Sequence, residues 1–470
     1  MHQRRGRTIN RDTSMTRESG GPMHVALQSV EWSGIFAEAV EDLRTLIRFD
    51  TTNPPGNEII AARWLKERFN ALAVLASLLE SAPGRGNVVA RIRGDGSGQP
   101  LLLNAHLDVV PADADSWAHP PFAARIVDGI LYGRGAIDMK NMAAMSLAAF
   151  RLISRQNIAL RRDLIFVGCA DEEAGSNLGS RWLAAHHPDL VRCEYVLNEL
   201  GGFTQHHGDK RVYPVQVAEK GVAWCTITAR GEPGHGSIPR PDAALPRLAE
   251  AAHRLATTRL KHRVHPIVRR FVQELARGYG GRARWVLPGL TNATLEPWAL
   301  KLLPDGKIAH AFAALLRNTA NPTVFVAGAA VNVVPAKAAL KVDGRLLPGQ
   351  TPGDLLGEIR WVIGDGFDVT IDHSSPGVVC DPDDPLIALL KDVVGEHDPG
   401  AEVVVNMIPG FTDNPAYVGL GAKCYGFVPV KLDRHTDFAS LYHGHNERIS
   451  LAGFRWGLKV FLDAVLRLCT

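Results

Sequence analysis

Blocks of apolar residues with two different spacings predict an α/β architecture for most of the chain. The segments IFAEAVEDLRTLIRF and IIAARWLKERFNALAVLASLL repeat apolar residues every three to four positions, which predicts helices on both sides of the turn cluster TTNPPGN. The apolar runs LLLNAHLDVV and DLIFVGCA predict strands that are buried on both faces, and NVVARI and EYVLNEL predict two more strands. MAAMSLAAFRLI predicts a buried helix. Strands alternating with helices indicate a mostly parallel central sheet covered on both sides.

The pattern changes near residue 215. VQVAEKGVAWCTITARG alternates apolar and polar residues, as a strand with one solvent-exposed face does, and PDAALPRLAEAAHRLATT is an amphipathic helix. The segments AVNVVP, AALKVDGRL, PGDLLGEIRWVIG and FDVTIDH then predict a strand, a strand, a helix and a strand. This order predicts a smaller α+β unit of the ferredoxin-like type.

The α/β pattern returns near Pro385 with PLIALLKDVVGEH, AEVVVNM, AKCYGFVPV and a long final helix. We therefore expect one large domain built from residues 25–214 and 379–470, with the smaller domain inserted at 215–378. Residues 261–322 are rich in arginine and helix-like, and they are interpreted as an insertion that lengthens the smaller domain. The basic, polar residues 1–24 are predicted to form a disordered tail.

Composition narrows the class of protein without identifying a site. The 470 residues contain 52 Lys and Arg against 49 Asp and Glu, so the net charge of +3 gives no reason to expect nucleic acid as a partner. The chain has no signal-peptide core and no uncharged apolar run of about 18 residues, so no membrane partner is expected. The six cysteines form no CxxC pair, which favours free thiols in a reducing, cytoplasmic environment.

Histidines and carboxylates stand at the ends of the predicted strands, where sites form in α/β sheets. His106 and Asp108 in LNAHLDVVP are two residues apart and point to the same side, so one could bind a metal while the other orients it. A structural His–Asp hydrogen bond is the alternative. Asp138 in GRGAIDMK precedes an apolar helix, where it is either a ligand or a helix N-cap.

Three further places carry similar groups. CADEEAGS places Asp171, Glu172 and Glu173 directly after a buried strand, where three acids are tolerated beside a cation or in a solvated loop. VLNELGG places Glu199 after another strand, and YHGHNERIS contains His443 and His445. A solvated strand end is the alternative for each of these two places. Two histidines and three carboxylates form a ligand set suited to zinc. Two zinc ions about 3.5–4 Å apart and bridged by a carboxylate would use all of them.

Six ordered motifs, HLDVVP, GRGAIDMK, DEEAG, NEL, GHGSIP and HGHNERI, closely resemble a family of dinuclear zinc hydrolases. The family includes acetylornithine deacetylase, succinyl-diaminopimelate desuccinylase, aminoacylase, glutamate carboxypeptidase and carboxypeptidase S-like peptidases. The resemblance runs from about residue 35 to the C-terminus. It implies a zinc-peptidase catalytic domain with an inserted lid and dimerisation domain, two zinc ions per subunit with cobalt or manganese as substitutes, and a homodimer.

The resemblance also implies roles for individual residues. Asp138 would bridge both ions, His106 and Glu199 would complete one site, and Glu173 and His443 the other. Asp108 would orient His106, and Glu172 would be the general base toward a water activated at the metals. His235 in GHGSIP would help to hold the oxyanion, commonly in the active site of the partner subunit. Asn332 and Arg345 would grip the substrate, with Arg345 binding its carboxylate, and Gly410, Thr412 and Asp413 would lie near the site.

Two departures from the family pattern affect these expectations. The motif HGH contains two histidines, His443 and His445, so either could in principle bind zinc. We expect His443 to be the ligand, because the ligand in the family precedes the glycine. LNELGG resembles the carboxypeptidase S-like branch and argues against the arginine and lysine biosynthetic enzymes.

The resulting hypothesis is a metal-dependent hydrolase that cleaves the amide bond of a small peptide or N-acyl amino acid with a free α-carboxylate. An N-acyl-amino-acid deacylase is the alternative to a carboxypeptidase or dipeptidase. A non-catalytic binding relative is the remote alternative, and the presence of Glu172 and of every ligand argues against it. A serine hydrolase is disfavoured because the chain has no GxSxG motif.

Overall fold

The computed structural model describes residues 23–207, 210–278, 283–303, 305–434, 436 and 440–470. Most of the predicted tail, residues 1–22, therefore lies outside the described residues. Met23 and His24 belong to the folded domain instead of the tail. The His24 backbone N–H donates to Asp463 at 3.0 Å, and the His24 ring lies 2.9 Å from the Thr470 hydroxyl.

The helices and strands follow one another along the whole described chain. The helices are α1 Val25–Gln28, α2 Trp32–Arg48, α3 Ile59–Ala71, α4 Lys140–Gln156, α5 Ser180–His186, α6 Pro188–Val191, α7 Ala244–Thr257, α8 Pro266–Gly278, α9 Ala283–Gly289, α10 Glu296–Lys301, α11 Gly306–Leu315, α12 Pro352–Ile363, α13 Pro385–His397, α14 Asn414–Val418 and α15 Leu451–Cys469. The strands are β1 Leu75–Ala82, β2 Arg85–Ile92, β3 Gly98–His106, β4 Arg125–Val127, β5 Ile130–Tyr132, β6 Arg162–Cys169, β7 Tyr195–Asn198, β8 Gln205–His207, β9 Lys210–Glu219, β10 Gly221–Arg230, β11 Gly234–His235, β12 Thr319–Ala327, β13 Val333–Val334, β14 Lys337–Leu346, β15 Asp368–Ser375, β16 Val378–Val379, β17 Glu402–Ile408, β18 Lys423–Gly426 and β19 Arg448–Ser450.

The large sheet forms the centre of the catalytic unit. Its strands run in the order β1-β2-β6-β3-β7-β18-β9-β16, and β8 and β17 also pair with β9. The four central strands β6, β3, β7 and β18 are parallel, as predicted, while the outer pairs of β1 with β2 and of β9 with β18 are antiparallel. Because β6, β3 and β7 are parallel neighbours, their carboxyl ends lie side by side at one edge.

The chain from 72 to 82 differs from the predicted helix. Helix α3 ends at Ala71, Ala73 has a left-handed backbone with φ of 57°, and β1 then forms an antiparallel hairpin with β2. The apolar run VLASLL suits a helix and a strand equally by composition. Pairing with β2 decides between them, since tertiary contacts outweigh local propensity.

The smaller unit has the predicted ferredoxin-like arrangement. Its four-stranded antiparallel sheet has the order β12-β14-β10-β15, with α7 and α12 packed on it. The second strand of this unit is Thr319–Ala327, partly inside the expected insertion, and the expected strand AVNVVP is reduced to Val333–Val334. Those two residues pair with Gly234–His235 in a separate two-stranded ribbon.

The two units meet at a different residue from the expected boundary. The predicted single strand after residue 215 is two strands, because β9 belongs to the large sheet up to Glu219 and β10 begins the small sheet at Gly221. The chain returns from the small sheet to the large sheet beside the point where it left, since Val378 of β16 pairs with Glu219. We call these two points the crossings. A Cβ atom on Gly221 would lie 2.5 Å from the Ser375 carbonyl oxygen, so only glycine allows the two crossings to lie this close.

The arginine-rich insertion does not simply lengthen the lid as expected. Helix α8 packs against β17 of the large sheet, and buried α8 side chains, including Val268, Phe271 and Val272, join the core of the catalytic unit. The insertion also holds the connection between the units. The fully buried Lys220 ammonium donates to the carbonyls of Ala314 and Arg317 and to the Thr319 hydroxyl at 2.9–3.2 Å.

Two further findings concern the whole described chain. All six cysteines are buried and free. Among the described residues, no helix is both long and apolar enough to cross a lipid bilayer.

Candidate metal centre

The first ligand group forms where β3 and β7 end. His106 is the last residue of β3, and Glu199 directly follows β7, so the parallel strands bring both side chains to one edge of the sheet. His106 Nε2 lies 3.2 Å from one Asp138 oxygen and 3.8 Å from a Glu199 oxygen. All three side chains are buried.

The second group shares Asp138. The other Asp138 oxygen lies 3.3 Å from His443 Nε2, and that nitrogen lies 3.1 Å from a Glu173 oxygen. Glu173 stands in a short 3₁₀ turn, Glu172–Ala174, directly after β6. Asp138 therefore directs one oxygen to each histidine, which is the arrangement of a carboxylate that bridges two cations.

The donor set fits a divalent metal. Two imidazoles and three carboxylates converge, with ligand atoms of each group within 4.8 Å of one another. Within the described ranges, Glu173 and Glu199 pair only with the His443 and His106 rings, and no lysine or arginine forms an ion pair with Glu172, Glu173 or Glu199. Burial raises the pKa of Glu199 to about 8 and, together with the Asp138 charge, raises the pKa of Glu173. Such crowded carboxylates with imidazole partners suit zinc or a similar ion.

Glu172 lies beside the two ligand groups but is not a member of either group that contains Asp138. Its carboxyl is 5% exposed and can join His106 and Glu173 in a third possible cluster. Burial, and next the negative charge of Glu199, raise the pKa of Glu172 well above its usual range. A carboxyl group with a raised pKa exchanges protons more readily near neutral pH, as a general base requires.

Asp108 holds the site together from behind His106. The His106 ring nitrogen Nδ1 lies 3.0 Å from the Asp108 carbonyl oxygen and 3.5 Å from its carboxylate. That carboxylate also accepts the backbone N–H groups of Glu172 and Glu173, each at 3.1 Å, and the Asn53 amide at 2.8 Å. One buried aspartate thus positions a histidine and the turn that carries two glutamates.

Asp171, the first acid of DEEAG, has a structural role. Its carboxylate accepts Arg85 at 2.9 Å and the backbone N–H of Leu178 at 3.0 Å, and Arg85 also pairs with the buried Glu58 at 2.7 Å. Asp171 has φ of 70°, so this network holds the chain in a left-handed turn just before Glu172.

Sequence comparison identifies the family. The profile described as Peptidase family M20/M25/M40 matches residues 102–467. The chain belongs to this peptidase family. The bovine (Bos taurus) N-fatty-acyl-amino acid synthase/hydrolase PM20D1 is 30% identical over 384 residues, covering 79% of this chain and 74% of the relative. Aminoacylase-1 of the pig (Sus scrofa) is 26% identical over 440 residues, covering 91% and 94%.

Solved structures of the M20 peptidase family share the fold. A metallo-carboxypeptidase from Sulfolobus solfataricus matches with a TM-score of 0.70 and 21% identity, covering 91% of this chain and 98% of its own. Human carnosine dipeptidase 1 matches with a TM-score of 0.70 and 15% identity, covering 95% and 99%. The M20 chain described here is accordingly a hydrolase of amide bonds.

Two residues expected near the substrate lie together on the lid. His235 is in strand β11 and Asn332 directly precedes its partner strand β13, where the Gly236 N–H donates to the Asn332 carbonyl at 2.8 Å. Both side chains are exposed, and the His235 ring contacts the Ser237 hydroxyl at 2.8 Å. No contact among the described residues joins either side chain to the metal ligands within this subunit.

Arg345 faces the catalytic unit from β14. Asp343 holds the guanidinium with both oxygens, at 2.7 and 3.0 Å, and the guanidinium lies 5.0 Å from the centre of the Phe411 ring. The third nitrogen, Nη1, is buried and has no hydrogen-bond partner among the described residues. The Trp224 indole also donates to Asp343 at 3.0 Å. Asp343 thus orients the Arg345 guanidinium through Nε and Nη2, and Nη1 remains to donate to an anion.

The loop Gly410–Phe411–Thr412 lies between the end of β17 and helix α14. Thr412 is 2% exposed, and its hydroxyl donates to Glu219 at 2.7 Å, so its side chain supports the large sheet. Asp413 is likewise buried and accepts Asn104 at 3.0 Å. Gly410 lies at the surface end of the loop, and Phe411 is the residue that reaches Arg345.

Glu447 is the main residue that sequence reasoning missed. Its fully buried carboxylate accepts the Arg134 guanidinium at 2.8 Å and the backbone N–H groups of Gly135, Ile137 and Asp138 at 2.8–3.2 Å. It therefore fixes the loop that presents Asp138. Its place in HGHNERI, four residues after His443, was the available signal.

Proposed function

We propose that this M20 hydrolase removes the acyl group from N-acyl amino acids with a free α-carboxylate, using two zinc ions per subunit. The observation that carries the proposal is the pair of ligand groups sharing Asp138, with the proton-exchanging Glu172 beside them. Similarity to PM20D1 over 384 residues supports an N-acyl amino acid over a peptide as substrate. Carboxypeptidase or dipeptidase activity remains the alternative that a substrate panel separates.

In this proposal, His106, Glu199, Asp138, Glu173 and His443 hold the metals. When bound, the ions supply Lewis-acid polarisation of the scissile carbonyl and of the attacking water; cobalt or manganese suits the same ligands. Glu172 accepts the proton from the water and returns it to the leaving amine. Asp108 keeps the His106 ring oriented.

The lid supplies the substrate contacts. The unpaired Nη1 of Arg345 binds the α-carboxylate, while Asp343 and the Phe411 ring keep the guanidinium in place. His235 donates to the oxyanion, and Asn332 grips the substrate, after the lids of two subunits associate. An exposed edge supports a homodimer, since β12 is the outer strand of its sheet and leaves Val324 and Val326 50% and 60% exposed.

We also propose that the protein works in the cytoplasm. The support is that all six thiols are buried and free, which suits a reducing compartment.

The deciding experiment is a hydrolysis panel on zinc-loaded protein. N-acetyl, N-octanoyl and N-oleoyl amino acids, their C-terminal amides and simple dipeptides are compared by kcat/KM. We expect the free-acid N-acyl compounds to be cleaved best and the amides to lose about 100-fold or more, because Arg345 then lacks its ion pair. Preference for dipeptides would replace the proposal with the peptidase alternative. Absence of hydrolysis with zinc, cobalt and manganese would overturn both.

A further inference from the structure

An exposed apolar surface lies on helices α9 and α10 of the insertion. Trp285 of α9 is 80% exposed, and Leu295, Trp298 and Leu302 at α10 are 52%, 69% and 68% exposed. Large apolar side chains of soluble chains are seldom exposed together, and a cluster of them marks an interaction site. We call these four residues the α9–α10 surface.

The four side chains belong to neighbouring helices. Helices α9 and α10 pack together, and a Cβ atom on Gly289 would lie 3.3 Å from the Ala299 Cβ atom. Leu295, Trp298 and Leu302 are three and four residues apart, so they lie on one helical face. The other side of α10 is buried through Glu296 and Leu300. The surface is therefore the outer side of a packed helical layer.

The same segment concentrates positive charge. Residues 261–322 contain ten Lys and Arg against three Asp and Glu, a net charge of +7 in a chain whose total is +3. Arg284 and Lys301 are exposed and, within the described ranges, form no ion pair. The Lys301 ammonium lies 5.4 Å from the centre of the Trp298 ring, so charge and aromatic surface are intermixed.

Tryptophan and leucine beside lysine and arginine are the composition of a helix that lies in the headgroup region of an anionic bilayer. Apolar side chains enter the acyl boundary, and the basic groups gain from the negative surface potential. We propose that the α9–α10 surface docks the protein onto anionic lipid membranes. Docking would bring the enzyme to long-chain N-acyl amino acids dissolved in the bilayer, a purpose that rests on the proposed function.

The expectation of no membrane partner came from the lack of an apolar span, and peripheral docking needs none. A surface layer of Trp and Leu is not visible as a hydropathy peak, because the residues are spread over two short helices. The helices had to be placed before the exposed side could be distinguished from the buried one.

Vesicle flotation of the full chain tests the proposal. We expect binding to phosphatidylcholine vesicles containing phosphatidylglycerol, and a loss of at least about tenfold in partition coefficient for Trp285→Ser/Trp298→Ser. The matched control is Trp361→Ser, which removes an equally exposed tryptophan, 74% exposed, from lid helix α12. Equal binding of the double variant and the wild type would overturn the proposal.

Charge reversal is the second arm. Arg284→Glu/Lys301→Glu should weaken flotation with anionic vesicles, and about 1 M salt should weaken wild-type binding because it shortens the Debye length to about 3 Å. Binding unaffected by both changes would contradict electrostatic docking. Hydrolysis of a short N-acetyl substrate is measured in parallel and should be unchanged, so failure of the proposed activity is seen separately from failure of docking.

Two other occupants would replace the membrane. If the double variant turns a dimer into a monomer in sedimentation and no vesicles bind, the surface joins copies of this chain. If a single-stranded oligonucleotide binds through the same residues and vesicles do not, the partner is nucleic acid. Either result overturns the proposal.

Discussion

Asp138 receives its position from a residue at the other end of the chain. The Glu447 carboxylate accepts the Arg134 guanidinium and three backbone N–H groups of the loop that leads to Asp138. Asp138 then directs one oxygen to His106 and the other to His443. At the scale of single residues, the position of the proposed bridging carboxylate therefore depends on a residue outside both ligand groups.

Glu447→Gln should weaken metal binding by about 10–100-fold, because the amide group offers a donor where the loop also offers donors. Zinc affinity is measured by competition with a chelator, alongside the melting temperature. Asp463→Asn is the control, since Asp463 is a buried carboxylate that pairs with His397 and Arg467 and not with the loop that carries Asp138. Equal zinc affinities in the two variants would reduce Glu447 to a general stability role.

Glu172→Gln should retain both metals and lower kcat by about 10²–10⁴-fold, because the amide cannot accept the proton. Metal content by elemental analysis and single-turnover rates separate these effects. Glu67→Gln, an exposed glutamate on α3, is the control and should leave kcat unchanged. Full activity of Glu172→Gln would remove it as the general base.

Among elements, helix α8 shows how an insertion can become part of another unit's core. Its apolar face, with Phe271 packed on Phe312 at 6.1 Å between ring centres, covers β17 of the large sheet. The sequence indicated that residues 261–322 are helix-like, but helical spacing does not say which surface a helix packs against.

Phe271→Ala should lower the free energy of unfolding of the catalytic unit by about 3–5 kcal/mol through the cavity it leaves. Chemical denaturation followed by activity measures the change. Phe325→Ala on the exposed strand β12, where the ring is 41% exposed, is the control of equal side-chain loss. A loss below about 1 kcal/mol for Phe271→Ala would show that α8 is not part of this core.

The strands that carry the ligands were predictable, because buried parallel strands are apolar along their whole length and end at charged residues. LLLNAHLDVV, DLIFVGCA and EYVLNEL all show this. The division between β9 and β10 was not predictable, since VQVAEKGVAW has no turn residues except Gly221 and the break depends on which sheet each half joins. Phe411 and Glu447 were missed because their function lies in contacts between segments distant in sequence.

At the scale of the whole molecule, two of the residues proposed to contact the substrate lie apart from the metal ligands. The metal ligands belong to the catalytic unit, whereas His235 and Asn332 stand exposed on a lid ribbon with no described contact to them. Contact from a partner's lid, or closure of the chain's own lid, would bring these side chains to the substrate.

Mixing two inactive variants distinguishes these routes. If His235 acts in trans, His235→Ala and Glu172→Gln subunits should together recover up to about a quarter of wild-type activity, because one site in four of the random mixture has both groups intact. Subunit exchange is verified by native mass spectrometry. No recovery after verified exchange would place His235 in its own subunit's site.

The neighbouring crossings at Gly221 and Gly377 have a consequence for how such proteins can be recombined. Glu219 of β9 and Val378 of β16 are paired, so the smaller unit leaves the large sheet and returns to it at neighbouring residues. It is therefore inserted between two paired strands. These boundaries would allow the smaller unit to be exchanged between related genes. However, α8 belongs to the exchanged segment, whereas the β17 surface that it contacts belongs to the large unit. A chimera that takes a lid from a relative should therefore also take the β17 face that α8 covers.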